Sequence, residues 1–186
     1  MTLSALDART ALIVIDLQKG ILALAPADAI APVVKNAASL AAAFRARQLP
    51  VVLVNVAGGA PGRTDQPRFA GPFPDGWSDL IPELNHAPSD HLVTKHSWGA
   101  FTGTALEAWL LAQQVTQVVI GGVATSIGVE STARQAHECG FNVTLATDAM
   151  TDLNPDAHTN SITRIFPRLG QCATTAEIIT LLGARA

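Results

Sequence analysis

The chain of 186 residues has no run of lysine or arginine, only two cysteines, and few charged side chains of either sign. Twelve basic residues against fifteen acidic ones leave a formal charge of −3. The cationic footprint that follows a phosphate backbone is therefore missing, and nucleic acid is excluded as the main partner. The first apolar run, Ala11–Ile15, stops at Asp16 after about one strand's length, with no basic region ahead of it. Neither a signal peptide nor a membrane span is expected, and the expected location is the cytoplasm. Cys139 and Cys172 stand far apart without metal-like spacing and are read as reduced thiols. Charged residues at 15% and hydrophobic residues at 48% exclude a disordered chain. At this length a chain buries roughly 70% of its unfolded surface, enough for one domain over residues 1–186 without staples. The apolar excess points to a homo-oligomer.

What is present is an alternation. Continuous apolar runs occur at Ala11–Ile15, Val51–Val56, His91–Thr94, Gln117–Gly122 and Asn142–Asp148. Such runs suit strands buried on both faces, as in a parallel sheet. Stretches of helical period fall between them, at about Asp28–Arg47, Thr104–Gln114, Ile127–Cys139 and Pro155–Leu169, with a short one near Ala176–Leu182. The fold class is α/β, a three-layer α/β/α sandwich with a mainly parallel, Rossmann-like sheet. Thr104 with Glu107, and Thr174 with Glu177, have capping-box spacing; Asn154-Pro155 reads as an N-cap with proline at the first helical position. Gly140 stops the helix before the next strand. Ala57–Ser89, rich in glycine and proline, is a long loop of the kind that forms a lid, a binding loop or an oligomer contact.

In open α/β sheets ligands bind beyond the carboxyl ends of the strands. Reading those ends in order gives Asp16, Asn55, Lys95, the segment Gly121–Thr125 and Asp148. Asp16 follows five apolar residues, so its carboxylate enters a partly dry place and needs a partner. Lys95 is the natural one, and a carboxylate paired with a lysine in a dry crevice can be tuned for acid or base work. The competing reading makes Asp16 a helix cap or half of a structural ion pair. GGVATSIGVESTARQA is a glycine-rich turn entering a helix, a place for an oxyanion or carboxylate. It is no phosphate loop, because both Gly-Lys-Ser/Thr and GxGxxG are absent.

Three ordered segments, ALIVIDLQKG, VTKHSWGAFTGTAL and VIGGVATSIGVESTARQAHECGFNVTLATDAMTD, resemble the isochorismatase-like hydrolase superfamily, which includes cysteine hydrolases of amides. The resemblance implies Asp16 and Lys95 as a catalytic pair and a cis peptide between Val123 and Ala124. It also places the cysteine hydrolases' nucleophile at Gly128, so this chain is a branch with glycine there. Cys139 cannot substitute, lying ~16 Å along the same helix at 1.5 Å per residue. Isochorismatases also lack that cysteine and cleave a vinyl ether without a covalent intermediate. The resemblance thus implies a hydrolase acting on a small metabolite, with Asp16 as general acid and Lys95 orienting it. Gly128 is read either as opening space for substrate or as a packing glycine.

Arg63, Arg68 and Gln66 are candidates for substrate contact from the loop after the second strand, as is Asn55. Trp98 and Phe101, beside Lys95, are candidate pocket aromatics, with core packing as the alternative. No cofactor is expected. His86, His91, His96, His137 and His158 show no pair at metal-ligand spacing, so no metal site is expected either. The alternative function is a non-catalytic small-molecule-binding or regulatory protein that kept the pocket after losing the nucleophile, with a purely structural oligomer subunit behind it.

Overall fold

The computed structural model describes residues 3–65 and 72–184; Gln66 and Arg68 lie outside them. Six parallel strands form one sheet in the order β3-β2-β1-β4-β5-β6. They are β1 (Thr10–Ile15), β2 (Val51–Val56), β3 (His91–Lys95), β4 (Gln117–Val123), β5 (Asn142–Thr151) and β6 (Gln171–Ala173). The helices are α1 (Lys19–Leu22), α2 (Ala27–Ala46), α3 (Leu106–Ala112), α4 (Glu130–Glu138), α5 (Pro155–Asn160), α6 (Phe166–Leu169) and α7 (Thr175–Gly183).

The period-two rule sorts β1 between the layers. Leu12 and Val14 join the core formed with α2 and α7, whereas Ala11, Ile13 and Ile15 join the core on the side of α3, α4 and α6. Every β1 residue is buried, as a central parallel strand requires. The chain runs from β1 outward to β2 and β3, then returns to the other side of β1 as β4. The order of strands reverses between β1 and β4, so the crevice opens at their carboxyl ends, where Asp16 and the Val123–Ala124 turn lie.

Local signals were followed unevenly. The Thr174–Glu177 capping box is formed, and Asn154 accepts from the N–H groups of Asp156 and Ala157. The box at Thr104–Glu107 is not. The helix starts at Leu106 after Ala105, and Thr104 Oγ1 instead donates to Ala100 O at 2.6 Å and accepts from Leu106 N–H at 3.2 Å. The hydroxyl thus accepts from the first N–H of the helix, but without the reciprocal Glu107 bond that a capping box needs. Two expected helices contain π segments: Thr125–Val129 precedes α4, and Ser161–Ile165 separates α5 from α6.

The fifth strand also runs further than expected. Ile120 pairs with Leu145, but Gly122 pairs with Met150, so a bulge inserts residues 146–149 and β5 continues to Thr151. Asp148 lies in that bulge and accepts from Thr175 N–H at 2.7 Å and Thr175 Oγ1 at 2.8 Å. It fastens α7 to the sheet and is not a strand-end site residue.

The long loop after β2 is anchored under the end of β1. Gln18 bridges to Leu80, Gln18 Nε2 donates to Val56 O and Trp77 O, and Lys19 N–H donates to Asp79 O. Trp77 occupies the space a side chain at Gly20 would need and stacks on Phe73 at 4.0 Å. Pro82–Leu84 forms a 3-10 turn before β3.

Gly122 adopts φ +127°, and a Cβ there would collide with the Ile15 carbonyl oxygen, which is backbone and cannot yield. Gly122→Ala is expected to cost about 3 kcal/mol or more in chemical denaturation. Gly183, at the end of α7 with open space around it, should accept alanine at a change within about 1 kcal/mol. Equal effects at the two positions would contradict this account of the switch-point packing.

Candidate active site

Asp16 leaves β1 with φ +53°, a left-handed conformation uncommon outside glycine, while its N–H donates to Val54 O at 2.9 Å. The turn aims the carboxylate toward the end of β3. Lys95 occupies the same strand face as Val93, whose side chain lies in the core on the α4 side. Its Nζ donates to Asp16 Oδ2 at 2.8 Å and to Ser97 O at 3.1 Å. Both residues are buried, Asp16 at 4% and Lys95 at 2% exposure. The structure therefore brings together residues 79 positions apart into one ion pair.

The second carboxylate oxygen is unusual. Asp16 Oδ1 is the one buried side-chain polar atom without a hydrogen-bond partner among the described residues. Burial raises the carboxyl from 3.8 to about 6, against the opposing charge and hydrogen bond of Lys95. Desolvation is the larger effect, and the lysine hydrogen bond reaches only one of the two oxygens. A buried acceptor left open invites either a proton or a donor from a ligand.

The Val123–Ala124 peptide is cis. After it the chain enters the π turn that carries Gly128, which is buried. A Cβ built on Gly128 would stand 2.9 Å from Ile15 Cγ2, 3.1 Å from Asp16 Oδ2 and 3.6 Å from Trp98 O. The position where the resemblance expects a nucleophile is thus directly above the Asp16 carboxylate. It is not vacant, however. Ile15 and Asp16 close on the glycine, which supports the packing reading of Gly128.

α4 also holds the segment after β3. Thr132 Oγ1 donates to Gly128 O at 2.7 Å and accepts from Ala100 N–H at 3.1 Å. Gln135 Oε1 accepts from Phe101 N–H at 3.1 Å. Trp98 O lies beside Gly128, yet Trp98 as a residue is 63% exposed. Phe101 is not a pocket aromatic: it is buried in the α3/α4 core with its ring 6.1 Å from that of Phe141. Core packing wins there because the ring lies on the helix side of the segment. Asn55 Nδ2 is committed to Ser78 O at 2.8 Å, and Arg63 lies exposed in the loop. Cys139 is exposed and Cys172 half-buried, and burial pushes both thiols up, away from the thiolate form. No cluster of three or more His, Cys, Asp or Glu among the described residues is arranged to hold a metal ion. An apolar groove of about 670 Å³ runs along α2, lined by residues such as Ile30, Val34 and Ile81 and by none of the Asp16 cluster.

Two residues beyond β5 bond the turn above Asp16: Asp152, not singled out in the sequence, and His158, named there only among histidines without metal-ligand spacing. Asp152 Oδ2 accepts from Ser126 N–H at 2.7 Å and Ser126 Oγ at 2.8 Å. His158 Nδ1 is 2.8 Å from Thr125 Oγ1. The only signal for Asp152 was a second Thr-Asp pair, Thr151-Asp152, four residues after the first.

A buried carboxylate and lysine lie together at the switch point of a parallel α/β sheet, beneath a helix-entering turn. The chain belongs to the isochorismatase family of hydrolases: the Isochorismatase domain model matches residues 10–177. It is 42% identical over 180 residues to the isochorismatase family protein YecD of Escherichia coli O157:H7, covering 93% of this chain and 96% of that one. A solved isochorismatase family protein from Burkholderia thailandensis superposes with TM-score 0.91 at 43% identity, covering 97% and 98% of the two chains. The N-carbamoylsarcosine amidase of Thermoplasma acidophilum superposes with TM-score 0.74 at 27% identity, over 90% and 96%.

Gly128→Ala is expected to lower stability by about 1–3 kcal/mol, the usual cost of overpacking a site that cannot relax. Thermal or chemical denaturation reads this directly, and a variant as stable as wild type would show that the cleft above Asp16 is open after all.

Proposed function

We propose that the protein hydrolyses a small metabolite without a covalent cysteine intermediate, Asp16 serving as general acid. The observation that carries this reading is the free Oδ1 on a buried carboxyl raised to about 6, adjacent to Lys95. An acid poised near working pH gives up its proton readily while a useful fraction remains protonated.

Vinyl-ether hydrolysis suits this arrangement. The proton on Asp16 Oδ1 passes to the terminal carbon of the C=C–O unit, and the ether oxygen stabilises the resulting oxocarbenium ion. Water adds to the carbon bearing that oxygen and returns a proton to the Asp16 carboxylate. The hemiketal then loses its hydroxyl proton as its C–O bond breaks, and the leaving oxygen takes up a proton, giving a ketone and an alcohol. One water is consumed and one C–O bond broken. Negative charge develops on Asp16 in the first step, 2.8 Å from the buried Lys95 ammonium, which stabilises it. Support for hydrolysis as the reaction class comes from the family and from the likeness to an amidase; glycine at position 128 argues against the thiol-ester route.

A second reading, a binding or regulatory protein, draws on the burial of the pair and on the closeness of Ile15 to Gly128. Turnover of a metabolite pool, including enol ethers, by wild type and Asp16→Asn separates the two. The enzyme reading expects turnover that falls about 10²–10⁴-fold in the variant. The protonated acid is the active form, so the wild-type rate should be highest below about 6 and fall about tenfold per pH unit above it. Undiminished turnover in Asp16→Asn would sink the mechanism. Absence of turnover with a compound that raises the melting temperature would favour the binding protein.

A further inference from the structure

The turn that carries Gly128 is held from one side by a single segment. Asp152, just past β5, takes the N–H and hydroxyl of Ser126, and His158, one turn into α5, bonds the hydroxyl of Thr125. Thr125 is fully buried and Asn154 fixes the start of α5, so the imidazole approaches Thr125 from a defined direction. From the other side Thr132 bonds Gly128 O, and Asp16 lies beneath. Gly128 is three positions after Thr125 in the same π turn, so the hydroxyl bond sits just before the atoms facing the acid.

We propose that His158 is a positioning residue for this site, setting through Thr125 the placement of the Gly128 turn over Asp16 and changing that placement when its ring gains a proton. This rests on the reading of Asp16 and Gly128 as the active centre. The chemistry is direct. With the imidazole neutral and its proton on Nε2, Nδ1 accepts from the Thr125 hydroxyl. Protonation makes Nδ1 a donor, so the same 2.8 Å contact survives only if the hydroxyl turns its own proton elsewhere. The charged groups packed around α5 are few among the described residues. Asp152 favours the protonated ring, Asp156 lies in the helix's own first turn, and Glu130 of α4 is engaged by Ser161 and Arg134. Burial outweighs Asp152 and holds His158 below 6.5.

The test follows the backbone and needs no turnover, so its failure is separable from failure of the hydrolase reading. In isotope-labelled wild type, the Gly128 amide resonance and the His158 ring resonances are titrated together. The proposal expects the Gly128 amide to shift with the His158 midpoint. That midpoint should persist in Asp16→Asn and vanish in His158→Asn. Asparagine can supply an acceptor near the place of Nδ1, so His158→Asn should keep the Gly128 amide close to its high-pH wild-type position, while His158→Ala displaces it. A Gly128 resonance that ignores the His158 titration overturns the proposal, as does equal displacement by the two variants.

Discussion

Burying a carboxylate and an ammonium together is among the more expensive things a fold does, and the Asp16–Lys95 contact is where this chain does it. Each charge loses several kcal/mol of hydration on burial, which only close pairing and further hydrogen bonds recover. At 2.8 Å the pairing is close, and Ser97 O takes a second Nζ proton. Asp16 is served less well: one oxygen has the lysine and the other has nothing. Burial raises the carboxyl to about 6 against the opposing pull of Lys95, the kind of perturbation that marks a candidate functional site. A fold selected only for stability would lose little by replacing both residues with apolar ones.

Much of the architecture reads as support for that contact. The reversal of strand order beside β1 opens the crevice, β3 delivers Lys95 from the sheet edge, and the loop after β2 pins Gln18 and Lys19 behind Asp16. α4 reaches across through Thr132 and Gln135 to fix the segment after β3. Asp152 and His158 fix the turn above. Asp16 is thus enclosed by elements from both halves of the sheet.

The pair itself was legible in the sequence because a charged residue directly after a buried apolar run has few destinations. Strands β1, β2, β4 and β5 were legible for a related reason, since continuous apolar runs suit a doubly covered sheet; β3 was expected on the same ground but is an edge strand with Leu92 and Thr94 exposed. What the sequence hid depends on contacts between distant segments. Whether Asp148 or Asp152 ends β5 turns on a bulge opposite Gly121, where a side chain would meet Ala149 O at 2.8 Å. Phe101 and Trp98 are both aromatic and close to Lys95, yet one enters the core and the other faces solvent according to how α4 grips the backbone between them. At Gly128 the resemblance named the position, but only the packing of Ile15 showed how little room stands above the carboxylate.

The central claim is that burial against a single lysine leaves Asp16 with a proton affinity suited to acid catalysis. Selective carbon-13 labelling of aspartate and NMR titration of the Asp16 carboxyl measures this without any substrate. The account predicts a midpoint near 6, moved by burial from the ordinary 3.8. A midpoint at or below 3.8 would mean that Lys95 dominates, that Asp16 is a permanently ionised structural partner, and that the acid must be sought elsewhere.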